Sequence, residues 1–213
     1  MEVLEIKPVR YKEIKAYVVN LSNVKPNLNR ELNFIEILSH KNLNFVTIDL
    51  ENENLRSFAK SPLAKILEKN KIPYYTVDIP EYVMGYLMTE ILEKEDQVNE
   101  LIKEFLIMKN KSSIKALNLK SWIDFLKEEI EEKKLLIQLK LRPEWIVKKI
   151  LDIIRLRNDN EIKFVHFAQD KVINETINLL KDLNIKIKLY EKKEENFSLN
   201  LIISEEEIKQ WKY

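Results

Sequence analysis

Three aspartates are the residues of this chain best placed to do chemistry together. Asp49 and Asp78 each close an apolar, β-branched run of residues, and Asp170 comes just after a third such run. In an open parallel sheet, ligands bind beyond the carboxyl ends of the strands, so these three side chains can converge on one edge. Clustered carboxylates hold Mg²⁺ or Mn²⁺, the ions that organise phosphoryl-transfer and nuclease sites. The pattern predicts a divalent-metal site for a phosphoesterase or nuclease.

The same three aspartates also fit purely structural roles. Asp170 is placed to cap the helix that follows it, Asp78 precedes a helix that starts at Pro80, and Asp49 begins a polar loop. Turns from strand to helix are rich in aspartate, asparagine and serine for structural reasons alone. Under this interpretation the chain carries no metal and no other cofactor.

The sequence lacks the residues that several other kinds of catalytic site require. The chain has no cysteine, which excludes thiolate zinc sites and a cysteine nucleophile, and it has a single glycine, Gly85, which excludes a Walker A loop and a GxGxxG motif. A nucleotide-sensing domain without a glycine loop stays open as a third possibility. His40 ends a predicted helix and His166 lies within a predicted strand, and no GxSxG elbow accompanies them.

Gly85 is unusual because average glycine usage predicts roughly fifteen in a chain of this length. It stands one turn into a predicted helix. A glycine there indicates close approach, either by a neighbouring helix or by a ligand.

The aspartates can meet only if the chain folds as an α/β sheet. Short β-branched runs alternate with helical patterns, which favours parallel strands joined by right-handed crossovers. The fold class predicted is α/β, with a mostly parallel Rossmann-like sheet in the order β-α-β-α-β and then β-α-β-β. Strands are predicted at 16–21, 44–50, 73–79, 163–168, 185–190 and 197–203, and helices at 28–41, from Ser61, over 171–183 and from Ser204.

A helical excursion of about three helices interrupts this sheet. Apolar residues recur at helical spacing over 81–109 and again over about 117–141, and Pro143 starts a third helix. Residues 1–80 and 159–213 are therefore the two halves of one sheet domain, and 81–158 form a helical insertion or hairpin.

The far end of the first long helix carries an apolar seam of Val98, Leu101, Phe105 and Met108. A helix of this length extends beyond the sheet, so the seam must be covered by the next helix, a partner or a second copy. Because no complete catalytic constellation is present, a non-enzymatic interaction or regulatory role is the leading hypothesis. These four residues would then bind a protein partner or form a homo-oligomer.

The overall charge is balanced, with 36 basic against 35 acidic residues, which argues against a nucleic-acid partner. Charge is separated locally, because residues 81–104 hold seven acidic and two basic side chains whereas 140–157 hold six basic and two acidic. These regions can pair with each other. No apolar run is long enough to span a bilayer and the N-terminus lacks a signal-peptide core, so a cytoplasmic protein is expected.

Overall fold

The computed structural model of the chain describes residues 12–20, 38, 42–50 and 58–190. Of the helix predicted at 28–41 only Leu38 is described, and the predicted strand at 197–203 and final helix from Ser204 lie outside the described residues. None of the described helices combines the length and apolar character needed to cross a membrane.

Five described strands form one sheet in the order β3-β2-β4-β1-β5, and every neighbouring pair is parallel. The predicted α/β class is therefore confirmed, as is the prediction that the strands on both sides of the helical middle share one sheet. Branched and aromatic side chains dominate the strands because they pack well on a pleated surface. The strands are β1 (Glu13–Asn20), β2 (Phe45–Ile48), β3 (Tyr74–Thr76), β4 (Glu161–Ala168) and β5 (Lys186–Tyr190).

The described helices follow the predicted order, and a π-helical turn interrupts the helical middle. The turn, Ile137–Leu141, joins the second and third helices of that region into one nearly continuous run. Turns of this kind are rare and frequently mark functional or strained positions. The helices are α1 (Pro62–Lys69), α2 (Glu81–Ile107), α3 (Ile114–Leu136), α4 (Arg142–Arg155) and α5 (Asp170–Asp182).

The sheet is covered on both faces. On one face, α1 packs its Leu63 and Leu67 against Val46, Val165 and their neighbours. On the other face, buried residues of α4 and α5 pack against alternate positions of β1, β2 and β4. After β2 the chain crosses to one face of the sheet, and after the adjacent β4 it crosses to the other face. A crevice therefore opens between the carboxyl ends of these two strands.

Helices α2 and α3 form an antiparallel hairpin with an apolar core of its own. Ile91 and Val98 of α2 pack against Ile123, Leu126 and Ile130 of α3, and no described strand residue belongs to this cluster. Ion pairs between the two helices flank the core. They join Lys94 to Glu129, Lys133 to Glu90, Lys134 to Glu95 and Lys115 to Glu104.

The acidic character of α2 is thus balanced by lysines of α3, and the described residues show no pairing between 81–104 and the basic 140–157 region. Part of that basic region has another role. Lys12, just before β1, donates to the carbonyls of Ile154 and Arg157 at the carboxyl end of α4, with 2.9 Å to Ile154. A cation at this helix end satisfies orphan carbonyls and favours the helix dipole.

At two helix C-termini of this glycine-poor chain, a residue other than glycine occupies the left-handed position where glycine is usual. Lys71 and Asn184 adopt left-handed backbone angles, with φ of 54° and 59°, directly after α1 and α5. Each closes its helix with reverse hydrogen bonds from its own amide and the next. At the opposite ends, the hydroxyls of Ser61 and Ser113 accept the amides of Ala64 and Ala116.

Candidate functional site

Asp49 and Asp78 lie at the carboxyl ends of the neighbouring strands β2 and β3. The ladder continues past both strands, because the Asp49 amide donates to the Phe167 carbonyl at 2.8 Å and the Val77 amide donates to the Ile48 carbonyl at 3.1 Å. Both aspartate side chains are buried. The sheet therefore brings two of the three predicted carboxylates together at the crevice.

Arg142 occupies the space between these two carboxylates. It is the first residue of α4, directly after the π-helical turn, and it is followed by Pro143, which has no amide to extend the hydrogen bonding of the helical run. Its Nε lies 2.8 Å from Asp78 Oδ1 and its Nη2 lies 2.6 Å from Asp78 Oδ2, a two-pronged ion pair. The same Nη2 lies 3.2 Å from Asp49 Oδ1. One guanidinium thus ties α4 to the ends of two strands.

Gln169 makes two further hydrogen bonds to Asp49. The Gln169 backbone amide donates to Asp49 Oδ2 at 3.2 Å, and its side-chain Nε2 donates to the Asp49 carbonyl at 3.2 Å. Its Oε1 lies 3.5 Å from Arg142 Nη2, at the outer limit of a hydrogen bond. The turn from β4 into α5 therefore closes the crevice from the side opposite Asp78.

Among the described residues, the negative charges of this cluster outnumber the positive ones, since two carboxylates face one guanidinium. Burial raises the pKa of Asp49 to about 6, with the charge of Arg142 opposing the rise and that of Asp78 adding to it. Breaking a buried ion pair leaves an uncompensated charge, which costs about 3–5 kcal/mol. The cluster is therefore a strong structural tie with one carboxyl poised to take up a proton near neutral pH.

Asp170 does not join the other two aspartates. It opens α5, where its carboxylate accepts a hydrogen bond from the side-chain amide of Asn20 at the end of β1. Across the parts of the chain that the structure describes, no group of three or more histidine or acidic side chains is arranged to hold a metal ion. Asp49 and Asp78 instead share a cation that belongs to the chain.

His166 lies one residue pair below this edge and is completely buried. It faces away from Val165 and Phe167, as strand alternation predicts, and its Nδ1 is 3.1 Å from the Thr47 hydroxyl of β2. Its Nε2 has no hydrogen-bond partner among the described residues. Burial lowers the pKa of His166 to about 4, with a hydrogen bond to the Thr47 backbone opposing, so this side chain is neutral at physiological pH.

Three of the four residues predicted to contact a partner belong to the apolar seam inside the hairpin. Val98 is buried there, and Leu101 and Phe105 are half-buried against the same apolar cluster. Met108 is half-buried just beyond the end of α2. Helix α3 thus supplies cover for this seam, and charged substitutions of Leu101 or Phe105 would disturb the core of the hairpin itself.

Both helices of the hairpin expose large apolar residues. On α2 these are Tyr82, Tyr86, Leu92, Leu106 and Ile107, and those of α3 lie mainly on its outer face, away from the buried seam. Trp122 and Phe125 stack there with ring centroids 5.4 Å apart, and their exposures are 47% and 48%. Ile114, near the hairpin tip, is 79% exposed. The full set of large apolar residues exposed on this face is Ile114, Leu117, Trp122, Phe125, Leu135, Leu136 and, in the π-helical turn, Leu139.

The expectation that Gly85 marks the close approach of a neighbouring helix is wrong for the described residues. A Cβ atom at this position would meet none of their atoms within 4 Å, and the residue is exposed. Nothing in the described part of the chain accounts for the glycine.

Sequence reasoning missed Arg142, and it assigned the partner surface to α2 and not to α3. Arg142 was one of several basic residues in 140–157, and only its position directly before Pro143, at a helix start, sets it apart. The outer face has a clearer signal, because Ile114, Leu117 and Phe125 recur at helical spacing beside Ile123 and Leu126. No protein-family model, curated protein or solved structure matches this chain.

Proposed function

We propose that this protein is a non-enzymatic interaction protein that binds a protein partner through the outer face of α3. The observation that carries the proposal is that α3 exposes large apolar side chains on the side away from its buried seam. Ile123, Leu126 and Ile130 are buried against α2, while six large apolar side chains of α3 and Leu139 of the π-helical turn are exposed among polar residues such as Glu128. Helices at the surface of a soluble protein are usually polar on their outer face.

The composition of the outer face fits a protein-binding surface. Exposed aromatic residues dominate binding energies at protein interfaces, and Trp122 and Phe125 stand side by side near the middle of α3. Apolar residues continue toward both ends, to Ile114 and to Leu139. Single exposed leucines need no explanation, but several large apolar side chains around a stacked aromatic pair are typical of an interaction site.

The crevice at the sheet edge supports the non-enzymatic part of the proposal. Its two carboxylates are both engaged with Arg142, and Gln169 also binds Asp49. A general base or metal ligand needs lone pairs that face a substrate or an ion, and these lone pairs face the chain itself. The cluster is therefore explained by its structural role in docking α4.

The experiment replaces two outer-face residues, Leu117→Glu together with Phe125→Glu, and uses Leu156→Glu as a matched control. Leu156 is 78% exposed at the end of α4, away from the hairpin. Sedimentation and affinity capture with the full chain should show an assembly or a specific bound protein that the double variant loses and the control keeps. If wild type and double variant have the same mass and recover the same proteins, the proposal fails.

A second candidate, a divalent-metal-dependent phosphoesterase or nuclease, draws on the convergence of Asp49 and Asp78. An ion at this place would have to take over the contacts of Arg142, which lie at 2.6 to 3.2 Å. The test is thermal unfolding with and without Mn²⁺, for wild type and for Arg142→Met. Stabilisation of either protein by Mn²⁺, with loss of the effect in Asp78→Asn, would favour this candidate, because a ligand of the native state raises its stability by mass action.

A further inference from the structure

We propose that the outer face of α2 binds an arginine-rich segment of a partner protein. The inference goes beyond the proposed function, because it concerns the side of α2 that points away from α3 and it defines the charge of the partner. The outer face of α2 consists of exposed residues at alternating spacings of four and three, which form one stripe along a helix. They are Tyr82, Tyr86, Thr89, Glu93, Asp96 and Glu100.

This stripe lies opposite the seam that α2 shares with α3. Ile91 and Val98 are buried in the seam. Ile91 follows Tyr82 by roughly two and a half helical turns, so the two side chains point to opposite sides of α2. From Tyr82 to Glu100 the stripe extends over roughly 27 Å at the rise of a helix. The hairpin therefore leaves this whole face to the solvent or to a partner.

The first part of the stripe is aromatic. Tyr82 and Tyr86 are one helical turn apart, and their exposures are 79% and 81%, the highest of the aromatic side chains that the structure describes. The face of an aromatic ring carries partial negative charge, and it attracts the cations of arginine and lysine side chains. Two neighbouring rings offer such a face to successive cationic residues of one segment.

Gly85 widens the space beside these rings. It lies between Tyr82 and Tyr86 in the chain, and a Cβ atom at its position would meet no described atom within 4 Å. A glycine inside a helix is less stable there than an alanine, and the described fold does not require it. The bare backbone leaves room for a partner's side chain to lie flat against a ring.

The second part of the stripe is acidic. Glu93, Asp96 and Glu100 form no ion pair with any residue that the structure describes, and the stripe ends at Lys103, where the charge changes sign. The lysines of α3 instead pair with acidic residues nearer the seam, which are Glu90, Glu95 and Glu104. The negative charge of the outer face is therefore left for a cation from outside the described chain.

Both parts of the stripe favour the same kind of partner. Anionic surfaces such as nucleic acids and acidic membranes are repelled by it. The carboxylates are spread along the helix, and the described residues contain no cluster of acids that would hold a metal ion. Arginine fits both parts, because its planar guanidinium stacks on aromatic rings and binds a carboxylate through two parallel hydrogen bonds, whereas lysine acts as a point charge.

The charge of the stripe is tested by fluorescence anisotropy of the full chain with two synthetic peptides, hexa-arginine and hexa-lysine, each carrying a neutral fluorophore. Glu93→Lys together with Glu100→Lys should weaken the binding of both peptides about tenfold or more. The matched control is Glu128→Lys together with Glu132→Lys, the same change of charge at exposed positions of α3, and it should change the affinity less than about twofold. Circular dichroism checks that each variant keeps its helix content.

The aromatic part is tested by the preference between the two peptides. Wild type should bind hexa-arginine about three- to tenfold more tightly than hexa-lysine. Tyr82→Ala together with Tyr86→Ala should abolish this preference, whereas replacing both tyrosines with phenylalanine should keep it. Trp122→Ala together with Phe125→Ala, which removes the exposed aromatic pair of α3, should also keep it.

Three results would overturn the proposal. They are the absence of binding at micromolar concentrations, equal losses in the charge variants of α2 and α3, and a preference for arginine that survives the loss of both tyrosine rings. None of these results bears on the outer face of α3, whose partner is tested with Leu117→Glu and Phe125→Glu. The two proposals can therefore fail separately.

Discussion

The sheet edge buries charged side chains, whereas the helical hairpin exposes large apolar side chains. At the edge, Asp49, Asp78 and Arg142 are charged groups withdrawn from water, and each has partners within the chain. On the hairpin, Trp122 and Phe125 are large apolar groups left in water. Buried charges are tolerated only when paired, and exposed apolar stripes are typical of surfaces that another molecule covers. The charges at the edge are paired within one chain, whereas the hairpin carries the surface at which we propose that a partner binds.

The largest effect on stability is expected when the Arg142 cation at the sheet edge is removed. Arg142→Met should lower the free energy of unfolding by about 3–5 kcal/mol at neutral pH, because two buried carboxylates lose their counter-ion. Urea denaturation measures the loss. Arg155→Met is the matched control on the same helix, since its ion pair with Asp152 is exposed and contributes about 0–1 kcal/mol. Equal losses in the two variants would contradict the structural role of the cluster.

The two faces of α3 offer a comparison within one helix. Leu126→Ala should cost about 2–4 kcal/mol because Leu126 is buried in the seam with α2, whereas its neighbour Phe125→Ala should cost less than about 1 kcal/mol in the monomer. Denaturation at a protein concentration below self-association separates these values. A large loss for Phe125→Ala under those conditions would mean that its ring is covered within the chain.

Beneath the edge, His166 should make the sheet sensitive to acid. Its folded pKa, about 4, lies below the ordinary value of 6.5, so the unfolded chain binds the proton first. Stability is therefore lost as pH falls from 6.5 through 4, by up to on the order of 3 kcal/mol. In His166→Leu, the free energy of unfolding should fall less than in wild type between pH 6.5 and 4. If it falls by the same amount, groups other than His166 cause the loss of stability in acid.

Asp49 should have the opposite and smaller effect on the free energy of unfolding over a similar pH range. Its folded pKa, about 6, lies above the ordinary 3.8, so its contribution is fully present below 3.8 and is lost as pH rises through 6. Relative to wild type, Asp49→Asn should gain stability between pH 4 and 7, by on the order of 2 kcal/mol. The control is Asp78→Asn, which breaks the two-pronged pair with Arg142 and should not gain.

The sequence predicts the strands and the edge they share because both follow from local patterns. Runs such as that of β4 are β-branched and aromatic, and Asp49 and Asp78 stand where any parallel sheet gathers its ligands. Their partner could not be predicted. Arg142 reaches them from α4, far along the chain, and no local rule links an arginine to carboxylates on distant strands.

The hairpin was predicted as an element, but the roles of its faces were not. Periodicity marks Val98, Leu101 and Phe105 as one stripe and says nothing about which neighbour covers it. In the structure α3 covers it, and the exposed apolar side chains of the hairpin lie elsewhere on both α2 and α3. A helix that is apolar on two faces gives an ambiguous period, so only the packing decides which face is inside.

The strand order has a consequence for how the chain is made. Among the described strands, the neighbours of β1 are β4 and β5, so the first strand to leave the ribosome has no partner until Glu161 and its successors emerge. At ordinary rates of synthesis that delay is on the order of ten seconds. The α2–α3 hairpin is closed by contacts between near neighbours and can form during the wait. The nascent protein thus presents its helical hairpin to the cell before it has a sheet.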